Sequence, residues 1–468
     1  MTTRRRRFWP VAAALALTLG LGACSGFSSG SGSNSDDGGG SDNGSGSGTD
    51  ATTTVSLMTW ASPQDRKLYQ KSLDKLTDKT GIHVKIVYVG SAAQYFQKIN
   101  SMVLSNTLPD VFWCNNLNAS FQPLAASGKL YDWGPYLDGS KKAASGATLD
   151  PDKFGPGYLQ QYKVDGKQYG IPNESNTYGV FYNADMFEKA GLPLPTADWT
   201  WDDLFKDMAA LTETKGGKVT QYGMQTGWGD LYDPVGLSIY ALSNGGKALS
   251  SKYTSWKGVK EFTADATLRA GVKRWVEAID KGWVTNPDFT ATSTWAAFTK
   301  GKVPMVWGGQ WNAVAIFDGH AKMKWGFAPI PRGTAKQLAP LEANGFCSPK
   351  GVNDPDAAWT VIANMLTTVF NDAYSQDPVA PIAYLPGSDG YFENLEGHGA
   401  IGKQVVKTVR GELENDNKVG TGFLDPWASK AANLIKSDWN PMLEGKKPVD
   451  PTLDHYVEQV NKLIASGS

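Results

Sequence analysis

Aromatic rings set beside amide, hydroxyl and carboxyl groups are the chemistry this sequence offers most freely. It carries 17 Trp, 18 Tyr and 18 Phe while only 19% of its residues are charged. Trp60 is followed by Ser62, Gln64 and Asp65, and Trp113 by Asn115 and Asn116. A flat ring suits the C–H face of a neutral, hydroxyl-rich molecule, and amides and hydroxyls suit its O–H groups. Trp228 stands in Gln225-Thr226-Gly227-Trp228-Gly229, whose residues cannot pack a helix or a strand around it, and Asp233 follows shortly. Other chemistries find less support. The histidines, at 83, 320, 398 and 455, have no metal-ligand spacing, and there is no phosphate-binding loop, so neither a metal nor another cofactor is expected. Gly26-Phe27-Ser28-Ser29-Gly30 matches a nucleophile elbow only within a polar stretch that lacks the strand and helix the motif requires. An anchored glycoside hydrolase with paired carboxylates remains the alternative, with no local hydrolase signature beside it.

These residues need elements to hold them. Val55–Trp60, Val84–Val89 and Leu108–Trp113 read as strands, and the helical spacing of Leu68, Leu73 and Leu76 predicts a helix over Gln64–Lys79 that Gly81 stops. A second helix over Ala92–Leu104 completes a βαβαβ rhythm, which argues for a parallel sheet with helices on both faces. Ligands of such sheets sit at the carboxyl ends of the strands. Those ends carry Trp60-Ala61-Ser62 and Trp113-Cys114-Asn115-Asn116, with Tyr95 in the loop or first turn after the second strand. Further strands are expected at 303–307 and 325–329. Further helices are expected at 264–281, 294–300, 356–370, 428–443 and 451–465. Thr200 followed by Asp203 fits a capping box.

The first 23 residues read as a signal peptide, with Arg4–Arg7 ahead of a short apolar run from Val11 to Leu21. Leu21-Gly22-Ala23-Cys24 resembles the lipobox of bacterial lipoproteins, where cleavage leaves a lipid-modified Cys24 as the new N-terminus. Residues 24–54 are the anchor and a Ser/Gly/Asn/Asp/Thr linker. Its only apolar side chains after Cys24 are Phe27 and Ala51, too few to offset the entropy of ordering it. Without residues 1–23, 41 Lys plus Arg face 46 Asp plus Glu, a charge of about −5 with His neutral. That favours neither nucleic acid nor anionic lipid as partner, and attachment to the membrane is expected through the lipid alone. Cys114 and Cys347 can pair outside the cytoplasm or stay buried and free.

Four stretches carry a family resemblance in the right order. They are Leu108-Pro109-Asp110-Val111-Phe112, then Tyr169-Gly170-Ile171-Pro172 to Tyr182-Asn183, then Trp199-Thr200-Trp201-Asp202-Asp203-Leu204. The fourth is Phe298-Thr299-Lys300-Gly301-Lys302-Val303-Pro304-Met305 with Gly309-Gln310-Trp311. Together they resemble the family 1 extracellular solute-binding proteins, the group that includes maltose-binding proteins of ABC importers. The resemblance implies a two-lobed α/β fold of the periplasmic-binding type (type II), its discontinuous lobes joined by a hinge. The lobes are expected as 55–169 with 344–380, and 170–343 with 381–468. Crossings are placed near Tyr169–Asn173, Ala339–Phe346 and Pro378–Leu385.

It also implies a non-enzymatic role, as a monomer that captures a sugar or oligosaccharide between the lobes and delivers it to transmembrane permease subunits. Carried over, the first-lobe ligand residues are Trp60, Ser62, Gln64, Asp65, Tyr95, Trp113, Asn115 and Asn116. Those of the second lobe and the crossings are Glu174, Trp228, Asp233, Gln310, Trp311, Asn344, Asp425 and Trp427. The same fold with a non-sugar solute is the other alternative, though Arg is sparse near every cleft segment, which argues against a small anion.

Overall fold

The computed structural model describes residues 53–466 except 61–62, 90–91, 116–120, 227–231, 250–257, 290–293, 421–424 and 426. The side chains of Trp60, Pro63, Ala92, Ala93 and Ser429 also lie outside the described set. So do the signal segment, Cys24 and nearly all of the linker.

Two sheets organise the chain. Strands β1 (Thr54–Trp60), β2 (His83–Val89) and β3 (Val111–Asn115) run parallel, β1 in the middle. Strand β4 (Gly170–Asn176) then leads directly into β5 (Tyr178–Asn183), and β6 (Gln225–Thr226), β7 (Met305–Gly309) and β8 (Trp325–Pro329) complete a second sheet in the order β6-β7-β5-β8. The chain returns through β9 (Ala339–Cys347), antiparallel to both β3 and β4, and β10 (Lys418–Gly420) pairs with the start of β9. The first sheet is therefore mixed rather than parallel throughout, because a strand re-entering from the second lobe arrives in the opposite sense.

A third crossing lies against β4. Ser175 N donates to Pro381 O, and Ala383 N donates to Asn173 O, so the segment 381–383 runs beside β4. Helix Gly399–Glu414 then packs on β8 of the second sheet. Alternation along β5 divides the apolar interior: Phe181 joins the cluster that extends from the first sheet, and Val180 and Tyr182 join the cluster on the opposite face.

Local chemistry explains the element ends. The capping box is present: Thr200 Oγ1 accepts from Asp203 N, and Thr200 N donates to the Asp203 carboxylate. Gly81 stops the helix Pro63–Thr80 in the left-handed region, at φ 72°. Strand β3 starts three residues later than expected. Pro109 has no N–H to give a ladder, and the Asp110 carboxylate instead accepts from Ser56 N and Ser56 Oγ. Cys114 and Cys347 form a disulfide that ties β3 to β9 across 233 residues.

Candidate functional site

The crossing strands β4 and β9 are buried along their whole length, yet each carries a polar pair two residues apart. Glu174 and Asn176 on β4, and Glu342 and Asn344 on β9, fall on one face by strand alternation, with Asn344 opposite Glu174 and Glu342 opposite Asn176. Asn115, at the carboxyl end of β3, pairs with Asn344 from the other side. Three strands thus bring amide and carboxyl groups to one point where the lobes meet.

Hydrogen bonds connect the group in a chain. Asn115 Nδ2 donates to Asn344 Oδ1 at 2.6 Å, and Asn344 Nδ2 donates to Glu174 Oε2 at 2.9 Å. Tyr374 OH donates to Glu174 Oε1 at 2.5 Å, and its oxygen lies 3.3 Å from the Tyr69 hydroxyl. Tyr374 closes a helix whose 365–369 segment has π-helical bonding, which rotates the following turn relative to a regular helix. Burial pushes the Glu174 carboxyl up from its ordinary value; the bonds from Tyr374 and Asn344 pull it back, and Asp65 raises it further. Asp65 itself is buried in the first turn of helix Pro63–Thr80.

On the second-lobe side, Gln310 brackets the residue where β4 gives way to β5. Its main-chain N donates to Thr177 O, and its Oε1 accepts from Thr177 N at 2.8 Å. Trp311 follows as the N-cap residue of helix Asn312–Asp318, half-buried, with its ring edge-on to Tyr178 at 5.5 Å. The indole lies over Gly309, where a Cβ would stand 2.0 Å from the ring. That glycine is required by close approach, not by conformation.

Other expected ligand residues lie elsewhere. Tyr95 is fully buried, and its hydroxyl donates to Trp113 O and Met58 O, so it braces the first sheet. Trp113 is 2% exposed and packed edge-on to Phe346 and Phe370. Trp427 belongs to the second-lobe core against Phe262, because it begins a helix that packs on Val449–Ala465. Asp233 caps helix Pro234–Ser243 by accepting from Val235 N and Gly236 N, and Asp425 accepts from Gly258 N and Val259 N. Gln64 is exposed on the first helical turn. Trp60 ends β1 with its main chain paired to Val89, while its side chain, Ser62, Asn116 and Trp228 lie outside the described residues.

Sequence reasoning missed Tyr69, Asn176, Glu342 and Tyr374. A signal for two of them was present: Glu-x-Asn occurs at 174–176 and again at 342–344, a period-two polar pattern inside segments otherwise fit for burial. The arrangement can hold a ligand by hydrogen bonds and ring contact. Among the described residues, no group of three His, Cys, Asp or Glu is placed to hold a metal ion.

The family model for bacterial extracellular solute-binding proteins matches residues 71–394. The multiple sugar-binding protein of Streptococcus mutans is 25% identical over 288 residues, covering 59% of this chain and 62% of that protein. The maltodextrin-binding protein of Bacillus subtilis is 30% identical over 220 residues, covering 44% and 47%. The matches therefore span about half the length of these curated relatives. Among solved structures, an ABC substrate-binding protein of Listeria monocytogenes in complex with cycloalternan aligns with TM-score 0.70 at 21% identity, over 88% of this chain and 99% of that one. Such a likeness fixes the fold, a two-lobed binding-protein fold of type II.

Proposed function

Because this chain belongs to the bacterial extracellular solute-binding protein family, we propose that it is a non-catalytic receptor that captures a sugar or oligosaccharide between its lobes for an ABC importer. The observation that carries this reading is the polar floor: Asn115, Asn344 and Glu174, drawn from three strands, converge where the chain passes between lobes, with the half-buried Trp311 beside Gln310. The relatives named for sugars and maltodextrin support a carbohydrate over other solutes. The lobes are 55–169 with 344–380, and 170–343 with 381–468. Ligand held by residues of both favours their closure, and the closed form presents its face to the permease as a monomer.

Holding is all the site must do. Ring contact over roughly a third of an indole, with the matching sugar face, is worth about 2–4 kcal/mol. With a few hydrogen bonds this reaches about −8 kcal/mol, a micromolar affinity. Among the described residues no helix is long and apolar enough to cross a membrane. A lipid on Cys24 is the proposed anchor, on the outer face of the cell membrane, and Cys24→Ser should release the protein or leave it unprocessed.

A thermal-shift screen against mono- and oligosaccharides tests the main reading. A ligand at 100 times its Kd should add about 2.7 kcal/mol of stability. The same mixtures should show no release of reducing sugar. Stabilisation by no saccharide, or rapid hydrolysis, would overturn the proposal.

A further inference from the structure

Each of the two long strands that cross between the lobes places a carboxyl on the same face, and the two carboxyls differ in how they are satisfied. Glu174 has a donor on each oxygen, Tyr374 and Asn344. Glu342 is 5% exposed; its Oε1 has only a long bond from Asn176 Nδ2 at 3.4 Å, and its Oε2 is buried with no hydrogen-bond partner. Buried carboxyl oxygens are seldom left this way, and one at the meeting point of two lobes marks a place that a ligand completes.

The charges that bear on this face are negative. Asp65 and Glu174 bear on each other, and Glu174 bears on Glu342, while among the described residues no Lys, Arg or His forms an ion pair with either glutamate. Lys418, on the neighbouring β10, turns its ammonium to the main-chain oxygen of Glu412. The amide nitrogens of Asn115 and Asn344 each give one N–H to a partner on the same face.

Resting on the sugar-binding reading above, we propose that this carboxyl pair fixes the charge class of the ligand: the cleft takes an uncharged saccharide and rejects uronates and sugar phosphates, and Glu342 is the discriminating residue, its Oε2 hydrogen-bonded to a ligand hydroxyl. A hydroxyl both gives and accepts, so it satisfies Oε2 whether the carboxyl holds its proton or not. An anion brought to the same place loses its water and meets carboxyl oxygens that no cation among the described residues is paired with.

The protonation of Glu342 supplies a handle on this. Burial raises its carboxyl to about 8, with Glu174 adding to the rise and Asn176 opposing it. The titratable groups around it are Glu174 from β4, and Tyr158 and Tyr162 from the segment before β4, both held protonated by burial. Glu412 reaches the same Tyr158 and is itself raised to about 8. Rejection of an anion should therefore sharpen as pH rises through about 8.

The test uses isothermal titration at pH 6.5 and pH 9 with a neutral saccharide that binds and its C6-carboxylate counterpart, whose charge is constant over that range. The uronate should bind more than about tenfold more weakly, and the ratio should widen at the higher pH. In Glu342→Gln the widening should vanish, which separates Glu342 from Glu412. Equal affinity for the two ligands, or the same widening in the variant, would overturn the assignment while leaving the sugar reading intact. Failure of both ligands and of the wider saccharide panel would end the sugar reading and this one with it. Should the variant not fold, as judged by its melting curve, the wild-type ratio at the two pH values still decides the charge class.

Discussion

Trp311 rests on the α-carbon of Gly309 and against the edge of Tyr178, so two features of β5 and β7 fix where its indole lies. A ring held in this way loses little freedom when a sugar settles on it, and that is the property a stacking platform needs. Trp311→Ala should weaken binding by roughly 2–3 kcal/mol, or about 30- to 150-fold, while costing less stability than the 3–5 kcal/mol typical of a buried Trp. Near-normal affinity in calorimetry with a collapsed melting temperature would show that the ring serves packing instead. Gly309→Ala drives a methyl into the same indole and should also lower affinity, by about tenfold if the ring is displaced by even part of a contact. Glu342 gives a second check at this scale. Its carboxyl is raised from 4.5 to about 8 in the folded chain, so the stabilisation it gives is complete below about 4.5 and is lost as pH rises through about 8. Melting temperature should fall over that window, and fall less in Glu342→Gln. Trp311 and Glu174 were legible in the sequence because each sits in a local motif. Tyr374 was not, because it reaches Glu174 from 200 residues away, and only after a π-helical turn that no local spacing announces.

At the scale of elements, the ladder between β3, β9 and β4 keeps Asn115, Asn344 and Glu174 in register. A one-residue slip would turn all of their side chains to the other face. The disulfide joins two of these strands, with Cys114 next to Asn115 in β3 and Cys347 at the end of β9. Replacing both cysteines by Ser should lower stability by about 2–5 kcal/mol, read by thermal unfolding with and without reductant. Affinity should fall only as far as register is lost, so a variant of normal affinity and lower melting temperature confines the disulfide to stability. Most elements could be read from the sequence because their apolar residues keep a period: the helix over 266–280 is buried at Leu268, Gly271, Val272, Trp275 and Ala278, the spacing of one helical face. Helix Pro234–Ser243 could not, since nine of its ten residues are buried and no periodicity survives. The disulfide was open for a related reason: two cysteines 233 residues apart reveal nothing of their proximity until β3 and β9 are paired.

For the whole molecule, the three crossings at 170–176, 339–347 and 381–383 lie side by side, so a rotation of one lobe on the other needs main-chain change only near this band. Hinge motion of that kind is concentrated in a few residues at element ends. Thr177 is such a residue, the single one between β4 and β5, and Gln310 holds both its N–H and its carbonyl from the second lobe. On the proposed reading, a ligand that bridges the floor at Asn344 and the ring of Trp311 would gain both sets of contacts only with the lobes drawn together, and that difference would shift the population toward the closed form. Small-angle scattering on residues 50–468 should therefore show a smaller radius of gyration at saturating saccharide than without it. Gln310→Ala, which takes the acceptor from Thr177 N and leaves only the main-chain bond to Thr177 O, should lower affinity by destabilising the bracket while leaving the liganded radius unchanged. Binding confirmed by calorimetry with no change in radius would mean that the lobes are already closed without ligand, and closure could not then be the signal read by a permease.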